Sequence, residues 1–251
     1  MQKQQRNKLA LSVAFLFLAF VLTSLNVIRK ETVTFTSDDG LLVTADEYII
    51  ASDNPYILLF HEQESSRGEF ETIARKLCKM DYNCLAVDIR NGGSVNFISN
   101  ETVKRCRESR CPVGPGDVEK DMLAAINYAF ERSSQPVILF GSCANGSLSL
   151  KVARENDRVR AVVALSPGEY FLPAISIQDT IANLKKPVFV SSSLSESPYV
   201  VQLVSGVEKD YVRHFEPKMG EGGRGSVSLS TENPNHSEYW LELLLFFKDL
   251  V

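Results

Sequence analysis

With 251 residues, 28.0 kDa, 44% apolar and 23% charged content, the chain has the make-up of one large globular domain or two small ones. That excludes disorder, collagen, a coiled coil and a polytopic membrane protein. The net charge of −4 is uneven: residues 1–30 hold Lys3, Arg6, Lys8, Arg29 and Lys30 with no acid, which leaves −9 on the other 221, an acidic body unsuited to nucleic acid.

Leu9 to Ile28 is almost wholly apolar, broken by Ser12, Thr23, Ser24 and Asn26. As a helix it would reach across a bilayer core of about 30 Å. The basic residues before it place the amino end in the cytoplasm and the body outside. The run is long and lacks a clear small-residue cleavage site. An uncleaved signal anchor over residues 1–30 is therefore preferred to a cleaved signal peptide. The expected location is the cell envelope, as a single-pass protein, or the periplasm or exterior if the segment is removed.

The body, residues 31–251, alternates strands and helices. Glu31 to Ser37 and Leu41 to Ile49 flank the turn Asp38-Asp39-Gly40 as an opening hairpin. Tyr56 to Phe60 and Asn83 to Val87 are short apolar runs suited to buried strands, separated by a helix over Phe70 to Lys79. Arg90 to Gly116 reads as one long irregular stretch, a candidate mobile loop over the site. A helix over Asp117 to Phe130, a strand over Pro136 to Phe140 and a helix over Ser147 to Ala153 follow. Val159 to Leu165, Pro187 to Ser191 and Tyr211 to Phe215 are further strands, and Glu238 to Leu250 is a closing helix. This order predicts an α/β fold with a mainly parallel eight-stranded sheet, helices on both faces, and a ligand site at the carboxyl ends of the strands.

Export would let cysteines pair. Cys106 and Cys111 lie in the polar stretch Lys104 to Gly116, close enough to bridge. Cys78 and Cys84 flank a helix-to-strand turn, and either pair with each other or stay as buried thiols. Cys143 stands apart, in Gly141-Ser142-Cys143-Ala144-Asn145-Gly146 directly after an apolar strand. Small neighbours suit a sharp strand-to-helix turn that lifts the central side chain above the sheet edge. The Ala144 N–H and the helix dipole would favour negative charge there. The alternative is a small cysteine packed in a turn.

These residues resemble the elbow of the α/β-hydrolase superfamily, in its dienelactone hydrolase-like branch, whose pattern is Gly-x-Cys-x-Gly-Gly; Asn145 replaces one glycine. Leu58-Leu59-Phe60-His61-Glu62-Gln63 resembles the family's strand and oxyanion loop, and Leu165-Ser166-Pro167-Gly168 a family strand end. The resemblance implies an α/β-hydrolase fold over the body, Cys143 as the nucleophile of a Cys-His-acid triad, and a Gln63 N–H that joins that of Ala144 in an oxyanion hole. It also implies Glu62 beside the resting thiol and His61 as a shaping residue. Glu196, five residues past Ser191, resembles the family's acid, though it also reads as a solvated loop glutamate or a charge at a helix start.

The pattern breaks at the base. Relatives carry a histidine in a loop of the form Gly-x-His-Gly-Ser, and here the loop is Gly222-Gly223-Arg224-Gly225-Ser226. Arginine holds its proton and cannot serve as a general base, but can pair with Glu196 or Glu62 or bind an anion. His214 lies in the last strand. His236 lies in Asn233-Pro234-Asn235-His236, where it either substitutes for the missing base after a loop rearrangement or caps a helix. No metal-ligand pattern stands out, and no cofactor is implied. Two functions stay open: a cysteine-dependent hydrolase of a small carboxylic ester, thioester or lactone, which is favoured because hydrolysis is the fold's commonest use, and a degenerate hydrolase that binds a ligand or protein partner without turnover.

Overall fold

The structure is a computed structural model and describes residues 27–250. The expected anchor over Leu9 to Ile28 lies outside the described residues apart from its last two. Among the described residues no helix is long and apolar enough to cross a membrane.

The strands are β1 (Arg29–Thr36), β2 (Leu42–Ile49), β3 (Tyr56–Phe60), β4 (Asn83–Val87), β5 (Val137–Ser142), β6 (Val159–Leu165), β7 (Val188–Ser191) and β8 (Val212–Phe215). They form one sheet in the order β1-β2-β4-β3-β5-β6-β7-β8. The hairpin β1–β2 and the pair β2–β4 are antiparallel, and every other neighbouring pair is parallel. The helices are α1 (Glu71–Cys78), α2 (Glu101–Ser109), α3 (Pro115–Ser133), α4 (Cys143–Glu155), α5 (Ile177–Ile181), α6 (Ser197–Leu203) and α7 (His236–Asp249).

The central strands β3, β4 and β5 are buried at every position because both faces of the sheet are covered, and most of their residues are apolar. Successive side chains point to opposite faces. Leu58, Phe60, Leu85, Val87 and Leu139 join Met122, Ile126, Leu148 and Val152 from α3 and α4 in one cluster. Ile57, Leu59, Cys84, Ala86, Ile138 and Phe140 join Leu77, Tyr239, Leu243 and Phe247 from α1 and α7 in the other. Truncating a ring such as Phe140, fully buried, would cost about 3–5 kcal/mol. The chain leaves β3 for β4 on one side and returns to β5 on the other. The sequence order therefore reverses at β3, where a crevice opens above the carboxyl ends of neighbouring strands.

The stretch Arg90 to Gly116, expected as an irregular loop, is structured. Ser94–Val95 pairs with Ile98–Ser99 in a short hairpin, and α2 follows. The Asn100 side chain caps α2 by accepting from the Val103 N–H at 2.8 Å. Thr102, Val103 and Cys106 supply the buried face, and Arg110 ends the helix in the left-handed conformation. Cys106 therefore sits on a helix rather than in a loop, and it is bridged to Cys111 just past the helix end. Cys78 and Cys84 are buried free thiols. Arg90, also in this stretch, is fully buried. Its Nε and Nη2 meet Asp121 at 3.0 and 2.7 Å, and its Nη1 meets Asp39 at 2.6 Å.

Candidate active site

β5 runs into α4 without a connecting residue, and Cys143, the first residue of the helix, takes φ +52°. A side chain at positive φ costs about 1–3 kcal/mol and persists only where its surroundings hold it. Close packing of the turn does so here. A Cβ on Gly141 would stand 2.5 Å from the Gly146 Cα, and a Cβ on Gly146 would stand 2.8 Å from the Gly141 oxygen. Asn145, where relatives carry glycine, points its side chain away from this crossing. Its Nδ2 donates to the His61 carbonyl oxygen at 2.6 Å, and its Oδ1 accepts from Asn91 Nδ2 at 3.2 Å. The substitution thus ties the elbow to the loop after β3.

That loop is shaped by His61. Its Nε2 accepts from the Ile89 N–H at 3.0 Å, which leaves the proton on Nδ1, 2.6 Å from the Glu62 carbonyl oxygen. The ring is fully buried and spent on backbone and on the Asn100 side-chain amide, 3.1 Å from Nε2. Glu62 follows, its carboxylate facing the Cys143 thiol and its N–H held by Glu69 Oε2 at 2.9 Å. Gln63 is exposed on the same loop, next to Glu62, whereas Ala144 lies buried in the first turn of α4 beside the thiol.

Arg224 occupies the middle of the site. Its Nε lies 3.2 Å from Glu196 Oε1, its Nη1 pairs with Glu62 Oε1, and its Nη2 donates to the Tyr170 hydroxyl at 3.3 Å. Glu196, where β7 passes into α6, is held by the Ser166 and Ser193 hydroxyls at 2.8 and 3.1 Å. The rest of the arginine loop is stitched down over the elbow. The Gly225 N–H donates to Ser166 Oγ at 2.9 Å, and the Ser226 N–H donates to Ser142 Oγ at 3.0 Å. Under this cover Cys143 is 1% exposed. Burial, then the Glu62 charge, push its thiol up to about 12, against the weaker pull of Arg224. The helix dipole was expected to favour a thiolate here, but desolvation outweighs it.

The structure thus brings Cys143, Glu62, Glu196 and Arg224 together, with Ala144 adjacent. It does not bring His236 to them. His236 opens α7, with Nδ1 2.8 Å from the Asn233 carbonyl oxygen and Nε2 3.3 Å from Ser237 Oγ, and it lines a groove with Lys76, Lys79 and Trp240. His214 sits in β8, its pKa lowered by burial. In the sequence Tyr170 and Ser193 have no place in a site, and Ser142 and Ser166 have only a place in the motifs around Cys143 and Leu165. Hydroxyls at strand ends carry no signal until the fold gathers them. Beside Tyr170 and Glu196 a cavity of about 350 Å³ opens, lined also by Glu169, Gln178, Tyr199 and Gln202. Among the described residues no cluster could hold a metal ion.

Solved structures share this architecture. An esterase from Pyrococcus furiosus matches at 16% identity over 88% of this chain and 91% of its own, with a TM-score of 0.65. A dienelactone hydrolase from Anabaena variabilis matches at 16% over 87% and 95%, with a TM-score of 0.63. A putative dienelactone hydrolase from Klebsiella pneumoniae matches at 15% over 89% and 99%, with a TM-score of 0.66. At such identities the likeness speaks for the fold. No curated protein sequence matches. The family model of the dienelactone hydrolases matches residues 39–212, which include the elbow, Glu62 and Glu196 and stop short of Arg224. With that match over more than half its length, on an eight-stranded α/β-hydrolase sheet, the chain belongs to the dienelactone hydrolase family.

Proposed function

We propose that this chain keeps the family's pocket for binding a small ligand and does not turn it over. The observation that carries this reading is Arg224, fixed between Glu196 and Glu62 where a triad needs its base. A guanidinium neither takes the thiol proton nor hands one to a leaving group. The thiol beneath it is neutral across the working range. The cavity beside Tyr170 and Glu196 is the place for the ligand. The test is single-turnover release from 4-nitrophenyl acetate. The parent gives no burst, and Arg224→His, with Glu196 in place to orient the new ring, gives release that disappears when Cys143→Ala is added. A burst in the parent that Cys143→Ala abolishes would overturn the reading.

A second reading has one observation in its favour. Glu62 meets Arg224 through Oε1 while its carboxylate also faces the thiol. A small carboxylic ester, thioester or lactone with its own anionic group could draw Arg224 away and free Glu62 to take the Cys143 proton. Cys143 would then attack the carbonyl carbon, with the Ala144 and Gln63 N–H groups on the oxyanion. The bond to the alcohol or thiol would break as Glu62 returns the proton to that leaving group, and the acyl group would stay on sulfur. In that case the burst appears with an anionic ester and not with 4-nitrophenyl acetate.

For location, we propose export with the body outside the cytoplasm, held to the cell envelope by residues 1–30. The Cys106–Cys111 bridge supports this, since such bonds persist in oxidising compartments.

A further inference from the structure

The outer side of α7 departs from the pattern of a surface helix. Tyr239, Leu243, Phe246 and Phe247 face the core, as expected. The opposite side should be polar. Instead Leu241, Leu244 and Leu245 stand there, at the i, i+3, i+4 spacing of one stripe, 56%, 45% and 37% exposed. Beside the stripe runs a groove of about 560 Å³ between α7 and the end of α1, lined by Met80, Trp240, Leu241 and Leu244, with His236 and Ser237 at one end. Its charged lining residues are Lys76 and Lys79, with no acid. The Lys76 ammonium lies 4.6 Å from the Trp240 ring centre.

Where the chain enters the described structure points to the occupant. Ile28 packs against the same apolar cluster as Met80, Trp240 and Leu250, so the sequence run from Leu9 joins the body on this side of the sheet. A bilayer that held that run would lie next to this groove. We infer that the α7 face, through Leu241, Leu244, Leu245 and the groove around Trp240, docks on the bilayer surface, with Lys76 and Lys79 at the level of the phosphate headgroups. Apolar side chains below a lysine rim match the layering of a membrane interface, where each basic group gains from anionic lipid. The inference rests on the membrane-anchor reading. It is independent of what happens at Cys143.

Trp240 is the sole tryptophan of the chain and lines the groove, so its fluorescence reads the contact directly. The full chain is reconstituted into vesicles of phosphatidylcholine and phosphatidylglycerol, with and without bromine on the acyl chains. The expected result is co-flotation with vesicles and loss of most Trp240 emission in the brominated ones. The double variant Leu241→Asp, Leu244→Asp should still float and regain its emission. Co-flotation with Trp240 unquenched by bromine overturns docking and leaves the anchor standing. Failure to float overturns both. Shielding of Trp240 that falls as protein is diluted in the lipid assigns the face to a second copy, and shielding without lipid assigns it to residues 1–26. Either result also overturns docking.

Discussion

The backbone of Gly225 rests on the thiol of Cys143: a Cβ built on Gly225 would stand 3.0 Å from Sγ and 2.6 Å from Ser142 Oγ. The contact requires glycine twice over, since Gly225 also takes φ +55°. Gly225→Ala should therefore lift the arginine loop from the elbow and cost roughly 1–3 kcal/mol. The expected readouts are a lower urea midpoint and faster alkylation of Cys143 by iodoacetamide, followed by peptide mass. Unchanged alkylation would mean that the loop does not gate the thiol.

Burial and Glu62 hold the thiol protonated, which fixes the sign of its pH response. With the thiol at about 12 against an ordinary 9.0, alkylation near pH 8 should run about 10³-fold slower than for an exposed cysteine. The rate should climb about tenfold per pH unit. Glu62→Gln removes the second cause and should speed the reaction. A group raised on folding contributes its full stability below its unfolded value. Here that contribution is intact below pH 9.0 and is lost as pH rises towards about 12. Comparison of urea midpoints between the parent and Cys143→Ala across that window checks the sign.

Much of this arrangement was legible in the sequence, because strand order follows from apolar runs and punctuation. Tyr56 to Phe60, Asn83 to Val87 and Val159 to Leu165 are strands at the boundaries that their composition marks. The family resemblance sets Arg224 at the histidine's place near Glu196 and Glu62, to pair with one of them or to bind an anion, and the structure pairs it with both carboxylates. Helix α2 was missed because its buried face is only Thr102, Val103 and Cys106 amid basic and acidic residues. Its main local signal is the Asn100 cap. The clamp of Ser166 and Ser193 on Glu196 was illegible for another reason. It depends on the register of β6 and β7, which no local pattern encodes.

Asn145 offers a test of how the elbow is held. Its side chain is buried and donates to the His61 carbonyl oxygen at 2.6 Å. Asn145→Ala leaves that carbonyl unpaired, at a cost of about 1–3 kcal/mol. Asn145→Gly restores the family's residue and should cost at least as much, since here the side chain and not the glycine makes the tie. Urea midpoints of the two variants decide. If Asn145→Gly matched the parent, the tie to His61 would contribute nothing.

The Arg90 cluster contributes to how the body responds to acid. The guanidinium is enclosed and meets Asp121 through Nε and Nη2 and Asp39 through Nη1 and the same Nη2. Asp121→Ala leaves a buried charge with half its partners and should destabilise by about 3–5 kcal/mol. Asp39 is the acid-sensitive member of the cluster, because its hydrogen bonds to Arg90 hold its carboxyl below the ordinary 3.8, whereas burial raises that of Asp121. A carboxyl lowered on folding contributes stability that is present above its unfolded value and drains away as pH falls towards the folded one. The parent should therefore lose stability below about pH 4, more steeply than Asp39→Asn, which has no proton to take up there. Urea midpoints of both proteins between neutral pH and the acid limit of folding measure the two slopes, and equal slopes would remove Asp39 from the account of acid unfolding.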